Sequence, residues 1–270
     1  KAAAATVEKL YFPLALKRQS HRDALRRVAL PDIGSCTVER FVWLGDQDAD
    51  INDADVDGRG NLWVATTIGA VGWMADGRWL HVAQIDGLAD DDARAVAIDH
   101  RGQPWFGTAF FDQTFFNGHS SLWWDGGLSC LVDPDANRLF FGTRTWRNTG
   151  DAASGVLGPV ADLVADPRDG IWLATGTAYQ DRSKVEGGIY HVDSDGHWTF
   201  FVDPGHPTDS VQSLAFDAED SLWMEGENGI VVRRGDGSWP ASLEGGRPLG
   251  SFSEMAVSAG GDAVWLAGNE

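Results

Sequence analysis

The sequence predicts an all-β fold: a five-bladed β-propeller of four-stranded blades. Three observations carry this expectation. A ten-residue phrase built on Asp, Gly and Trp recurs five times. An Asp-Gly pair read as a turn follows four of the five copies, each with a large apolar residue two places after the Gly. The two ends of the repeat region complement each other, so that strands missing from the last repeat are supplied by the first.

The phrase is clearest at residues 57–66, DGRGNLWVAT, and returns as DHRGQPWFGT at 99–108, DPRDGIWLAT at 166–175, DAEDSLWMEG at 217–226 and SAGGDAVWLA at 258–267. Its tryptophans are Trp63, Trp105, Trp172, Trp223 and Trp265, spaced by 42, 67, 51 and 42 residues. A unit near 40 residues, rich in short strands, marks a propeller blade, because one unit cannot bury its own apolar face and several around an axis can. Within each unit, strand a ends at the Asp and strand b carries the Trp; strands c and d follow, outward from the axis.

The c–d turns are read at Asp76-Gly77, Asp125-Gly126, Asp195-Gly196 and Asp236-Gly237, each followed two residues on by Trp79, Leu128, Trp198 or Trp239. Asp-Gly suits a type I′ hairpin, whose two central residues take positive φ. The fifth repeat supplies strands a and b only. Residues 24–30, ALRRVAL, fit strand c, and 37–43, TVERFVW, alternate like a half-buried strand d, so the N-terminal strands would close the ring and remove its edges. The division is then an N-terminal extension over 1–34, part docking arm and part strand c, and a propeller over 35–270. Residues 1–34 hold seven basic and three acidic residues, net +4, and leave −23 for the rest of the chain. Pro13 keeps the apolar stretch at 10–16 out of a central strand or a helix interior.

Composition excludes several functions. A net charge of −19 argues against nucleic-acid backbones and anionic membrane surfaces. No apolar run reaches the roughly 18 residues that span a bilayer, so no transmembrane segment is expected, and no signal peptide is read. Cys36 and Cys130 form no metal-type pair and fall in different blades, which favours two buried thiols. The seven histidines are scattered, and no zinc, triad or phosphate-loop signature is present. No cofactor is expected.

The a–b and c–d turns on one face of the propeller are short. The b–c and d–a loops of the other face vary, with long pieces at 110–119, 133–159 and 177–187, all over blades 2 and 3. Long loops in a compact fold are commonly functional, and aromatic-rich ones mark binding surfaces. The candidate ligand-binding residues are therefore Phe110, Phe111, Phe115, Phe116, Arg144, Trp146 and Tyr179. One column of residues lies four places before the end of each strand a: Asp53, Ala95, Asp162, Ser213 and Glu254. Asp53, Asp162 and Glu254 form an alternative, catalytic set for a carbohydrate-active glycosidase or lyase, since paired carboxyls flank a scissile glycosidic bond. The run Asp53-x-Asp55-x-Asp57-Gly58 is not an EF-hand, because its twelfth place is Val64. A looser Ca²⁺ site at Asp48, Asp50, Asp90 and Asp92 is the alternative to no metal.

The phrase D-x-x-G-x-[LI]-W-[VFL]-[AG]-T, followed by IGAV in blade 1 and GGIY in blade 3, resembles the two-component-regulator propeller repeat over about residues 37–270. Residues Asp57, Gly60, Leu62, Trp63 and Thr66 match best, and the fourth and fifth copies are degenerate. That family occurs in extracytoplasmic sensor regions of bacterial signalling proteins and in free-standing secreted proteins, and its repeat motif carries no catalytic residues. A more distant likeness is to streptogramin-cleaving lyases. The expected function is a non-catalytic, extracytoplasmic (periplasmic, secreted or cell-surface) module binding a protein or glycan through the top face. A further alternative is an accessory subunit of a larger assembly.

Overall fold

The computed structural model describes residues 49–116, 119–133, 138–143, 158–176, 178–180, 183–185, 187–201, 211–226, 229–239, 251–257 and 263–269. For part of these only the backbone is described. The strands expected at 24–30 and 37–43, the docking arm and Cys36 lie outside the described residues.

The fold is all-β and built of propeller blades. Blade 1 is β1 (Ile51–Val56), β2 (Leu62–Thr66), β3 (Gly69–Trp73) and β4 (Trp79–Val82), antiparallel in that order. Blade 2 is β5 (Ala93–Ile98), β6 (Pro104–Phe116), β7 (His119–Asp133) and β8 (Arg138–Thr143). Two short strands, β11 (Ala178–Gln180) and β12 (Ser183–Val185), interrupt blade 3, which is β9 (Val160–Ala165), β10 (Ile171–Thr175), β13 (Gly188–Val192) and β14 (Trp198–Phe201). Blade 4 shows β15 (Val211–Phe216), β16 (Leu222–Gly226) and β17 (Gly229–Arg233), and blade 5 shows β18 (Ser251–Val257) and β19 (Val264–Asn269). The inner strands β1, β5, β9, β15 and β18 neighbour one another in that order. Among the described residues no helix is long and apolar enough to cross a membrane.

The recurring phrase has one structural purpose. In blades 1 to 4 the Trp six residues after the Asp donates its indole N–H to that Asp's Oδ2. The distances are 3.1 Å from Trp63 to Asp57, 3.0 Å from Trp105 to Asp99, 2.6 Å from Trp172 to Asp166 and 2.8 Å from Trp223 to Asp217. The other oxygen, Oδ1, caps the turn by accepting backbone N–H groups, such as those of Arg59 and Asn61 in blade 1 and Glu219 and Ser221 in blade 4. Trp63, Trp105 and Trp172 are thereby aimed at the next blade. Trp63 meets Phe106 edge-on at 6.2 Å between ring centres. Trp105 packs with Leu163 and Leu173, and Trp172 with Leu214, Met224 and Val231. Burying a full aromatic side chain stabilises by roughly 1.5–3 kcal/mol, so these tryptophans hold blade to blade.

The turns differ from the expected type. At Asp76-Gly77 the Gly77 N–H donates to the Met74 carbonyl and the Met74 N–H to the Arg78 carbonyl, both at 2.8 Å; the turns at Gly196 and Gly237 repeat this pattern. The Gly alone is left-handed, with φ of 85–86° at Gly77, Gly196 and Gly237, and the preceding Asp is not. These are three-residue loops closing in a G1 bulge rather than type I′ turns, and they place Gly at the single position that requires positive φ. Asp125-Gly126 is no turn at all. Both residues lie inside β7, in register with Phe110 and Ala109. A Cβ at Gly126 would meet backbone of Thr108 at 2.8 Å and Pro159 at 2.9 Å, so that glycine serves close approach of chains. Strand c of blade 2 therefore runs on to Asp133, strand d is β8, and the expected long connection from 133 begins with a strand.

Candidate functional site

The aromatic insertion of blade 2 is a strand extension. The last pairing between β5 and β6 is Ala93 with Thr108, yet β6 continues to Phe116, eight residues or about 27 Å further at ~3.4 Å per residue. It pairs throughout with β7, from Ala109 with Gly126 to Phe116 with His119. The insertion of blade 3 folds as the hairpin β11–β12, and β11 pairs antiparallel with β7 through Tyr179 with Trp124 and Gln180 with Trp123. Two insertions more than 50 residues apart thus join as one sheet, in the order β6-β7-β11-β12, over blades 2 and 3.

Cross-strand register puts residues on common faces of that sheet. Phe111, Trp124, Tyr179 and Lys184 form one row across four strands. Phe115 falls on the same face as Phe111, while Phe110 and Phe116 fall on the opposite face. Of the candidate ligand-binding residues, the structure brings together Phe110, Phe111, Phe115, Phe116 and Tyr179; Arg144 and Trp146 lie outside the described residues. Trp123 and Trp124 were missed by sequence reasoning. The adjacent Asp125-Gly126 read as a turn, and only the paired aromatics at 110–111, 115–116 and 123–124 hinted at a ribbon.

The carboxylate column has a structural assignment. Every inner strand shifts register just before its column residue, at Asn52, Arg94, Ala161, Gln212 and Ser253. Such bulges re-aim the next side chain. Asp53 Oδ2 accepts the Val96 N–H of blade 2 at 2.9 Å. Asp162 Oδ2 accepts the Leu214 N–H of blade 4 at 2.8 Å and the Ser213 hydroxyl at 3.0 Å. The Ser213 hydroxyl oxygen in turn accepts the Met255 N–H of blade 5 at 3.1 Å. Asp53 and Asp162 therefore tie inner strands of successive blades. Asp55 adds a second tie, accepting the Ile98 N–H at 3.0 Å; burial raises its pKa, and its backbone hydrogen bonds oppose that rise. For Glu254 only the backbone is described.

The carboxylates of Asp90 and Asp91 serve loop geometry, while Asp92 Oδ1 is buried without a hydrogen-bond partner. Asp90 accepts the Asp92 N–H at 3.1 Å, Asp91 the Gln84 N–H at 2.6 Å, and Asp92 pairs with Arg94. The Asp50 N–H donates to the Thr67 hydroxyl at 3.1 Å. Asp48 lies outside the described residues. Among the described residues no group of three or more His, Cys, Asp or Glu side chains is arranged to hold a metal ion. Cys130 is buried and free, its thiol pKa pushed up by burial first and by Asp99 second.

No protein-family model matches the chain, and no curated protein matches it. Solved structures do. The extracellular domain of a putative one component system from B. thetaiotaomicron is similar at a TM-score of 0.58 and 16% identity, over 83% of this chain and 27% of that one. The extracellular domain of a putative hybrid two component system from the same organism is similar at 0.57 and 15%, over 84% of this chain and 28% of that one. PorZ, a surface component of the type-IX secretion system of Porphyromonas gingivalis, is similar at 0.51 and 16%, over 80% of this chain and 31% of that one. The chain spans between a quarter and a third of the length of these structures. Together with the repeated four-stranded sheets, this likeness shows that the chain has the β-propeller fold of those extracellular domains.

Proposed function

We propose that the chain is a non-catalytic, extracytoplasmic propeller module that recognises a protein or glycan partner through the sheet raised over blades 2 and 3. The observation that carries this reading is the joining of β6, β7, β11 and β12 into one sheet, with Phe111, Trp124, Tyr179 and Lys184 in a single row. A row of aromatic positions on a sheet offers large contact area at low entropic cost, and aromatic anchors dominate recognition surfaces. The extracytoplasmic placement is supported by the likeness to extracellular domains.

The test is binding with and without the row. The folded chain is presented to a panel of polysaccharides and to a surface-protein extract, beside a variant carrying Phe111→Ala, Trp124→Ala and Tyr179→Ala. Loss of two to three hot-spot aromatics is expected to weaken a genuine ligand by at least about 1,000-fold, at ~2 kcal/mol or more per hot spot. Equal binding by both proteins, with both folded, would place recognition elsewhere.

A further inference from the structure

Ile85 is held out of the fold. It is 94% exposed, the most exposed large hydrophobic side chain among the described residues, while Leu88 and Ala89 are 2% and 6% exposed. Residues 83–92 join β4 to β5, and a short 3₁₀ turn, Gln84–Asp86, forms their tip. That turn is braced from both sides. The Ala83 N–H donates to Asp86 Oδ2 at 3.0 Å and the Gln84 N–H to Asp91 Oδ1 at 2.6 Å. The Ala83 carbonyl accepts the N–H groups of Asp86 and Leu88 at 2.9 and 3.2 Å, and the Gln84 carbonyl accepts that of Gly87 at 3.0 Å. Gly87 ends the turn at a φ of 108°, a left-handed value that favours glycine. Leu88 anchors the connection in the core shared by blades 1 and 2. Single exposed aliphatic residues are ordinary on protein surfaces. One fixed in place by a braced turn, with Leu88 taking the core instead, is preorganised for contact.

The same connection is fastened to the base of the raised sheet. The Ala89 N–H donates to the hydroxyl of Ser129 in β7 at 3.0 Å. The Asp92 carbonyl accepts the N–H of Ala109, the first residue of β6 beyond its pairing with β5, at 2.9 Å. The Ile85 knob and the aromatic row therefore stand on one support. Charge and shape name the occupant. Asp86, Asp90 and Asp91 lie within six residues of Ile85, in a chain of net charge −19, so the knob stands in an acidic collar. An aliphatic side chain offers a sugar neither a ring to stack on nor a hydrogen-bonding group. It gains where an apolar pocket closes over it, and such pockets belong to proteins. Carboxylates around the rim of the contact call for Lys and Arg opposite them.

We infer, resting on the function proposed above, that the partner is a protein, and that Ile85 enters an apolar pocket of it whose rim is basic. The sheet of β6, β7, β11 and β12 covers the adjoining surface of the same partner.

The experiment places a photoreactive benzoylphenylalanine at position 85 of the full chain and irradiates it in the surface-protein extract. A cross-link to one protein, at a peptide containing Lys or Arg, is the expected result. Affinity for that protein, purified, is then compared for the native chain, Ile85→Leu and Ile85→Asp. Ile85→Asp is expected to weaken binding at least about 30-fold, and Ile85→Leu by less than about threefold. About a tenfold rise in salt is expected to weaken the native complex as well. Both variants are expected to keep the native Tm, because the side chain is outside the core, so lost binding is not lost folding. A cross-link between two copies of this chain would give the knob to self-association and overturns the inference, as does the absence of any cross-link from position 85. A ligand, protein or polysaccharide, that the Phe111, Trp124 and Tyr179 variant loses and Ile85→Asp keeps overturns it while the function proposed above stands. Binding unchanged by every variant overturns both.

Discussion

Asp57 accepts hydrogen bonds from two backbone amides, the Asn61 side chain and the Trp63 indole while only 6% exposed. Burial alone would raise its pKa, yet the bonds from Asn61, Trp63 and Arg59 hold it below the ordinary carboxylate value. Asp57→Ala strands those donors, and the expected cost is about 2–4 kcal/mol in urea unfolding. Asp76→Ala, in an exposed turn, is expected to stay within about 0.5 kcal/mol. Equal costs would show that the Asp–Trp bond adds nothing beyond turn chemistry. His191 makes a related prediction. Its Nε2 donates to the Asp169 carbonyl at 2.8 Å and lies 3.3 Å from Asp166 Oδ2. Burial works against its charge, but Asp166 and the Asp169 carbonyl outweigh burial and raise its pKa above 6.5. Asp166 is buried too, and His191, the Arg168 N–H and Trp172 bring its pKa well below 3.8. The histidine's contribution is complete below pH 6.5 and is lost as pH rises through its raised folded pKa; the aspartate's is complete above pH 3.8 and is lost on acidification. The pair thus stabilises most between about pH 4 and 6.5. Tm is expected to fall from pH 6 to 8 in the native chain, and His191→Gln is expected to remove most of that fall.

At the scale of the element, the a–b turn shows how a repeat tolerates decay. Where Gly60 and Gly102 take φ of 83° and 77°, blade 4 has Asp220 at φ 57°, with its N–H on the Asp217 carbonyl at 3.2 Å. The hairpin persists because aspartate tolerates the left-handed region better than most residues, at a cost of roughly 1 kcal/mol or less. Asp220→Gly is expected to raise stability by up to about 1 kcal/mol in urea unfolding; a loss instead would assign the position to its contact with Arg168 at 3.5 Å. The turn was legible in the sequence in blades 1 and 2, because Asp and Gly stand where the chain needs a cap and a positive φ. Gly126 shows why such reading fails elsewhere. An Asp-Gly pair looks the same whether the glycine makes a turn or makes room for Thr108 and Pro159, and those neighbours come from other strands.

The whole molecule is held by what passes between blades: tryptophans on one face of each sheet, and column side chains on the inner strands. Asp162, 6% exposed, is the central tie, because Ser213 both donates to it and accepts from blade 5. Asp162→Ala is expected to cost about 2–4 kcal/mol, from the stranded Leu214 N–H and Ser213 hydroxyl. It is also expected to broaden urea unfolding, as blades 4 and 5 loosen ahead of blades 1 to 3. Unchanged cooperativity and stability would show the tie to be incidental. By itself the sequence determined the repeat and, outside blade 2, the strand order within a blade. Each of these rests on chemistry within about ten neighbouring residues or on a simple period of two. The tertiary structure alone decided that β11 pairs with β7, that Trp124 stands between Phe111 and Tyr179, and that the bulged column ties blades together. Those outcomes depend on register between strands tens of residues apart, where a shift of one residue exchanges the two faces of a sheet and no local pattern fixes the choice.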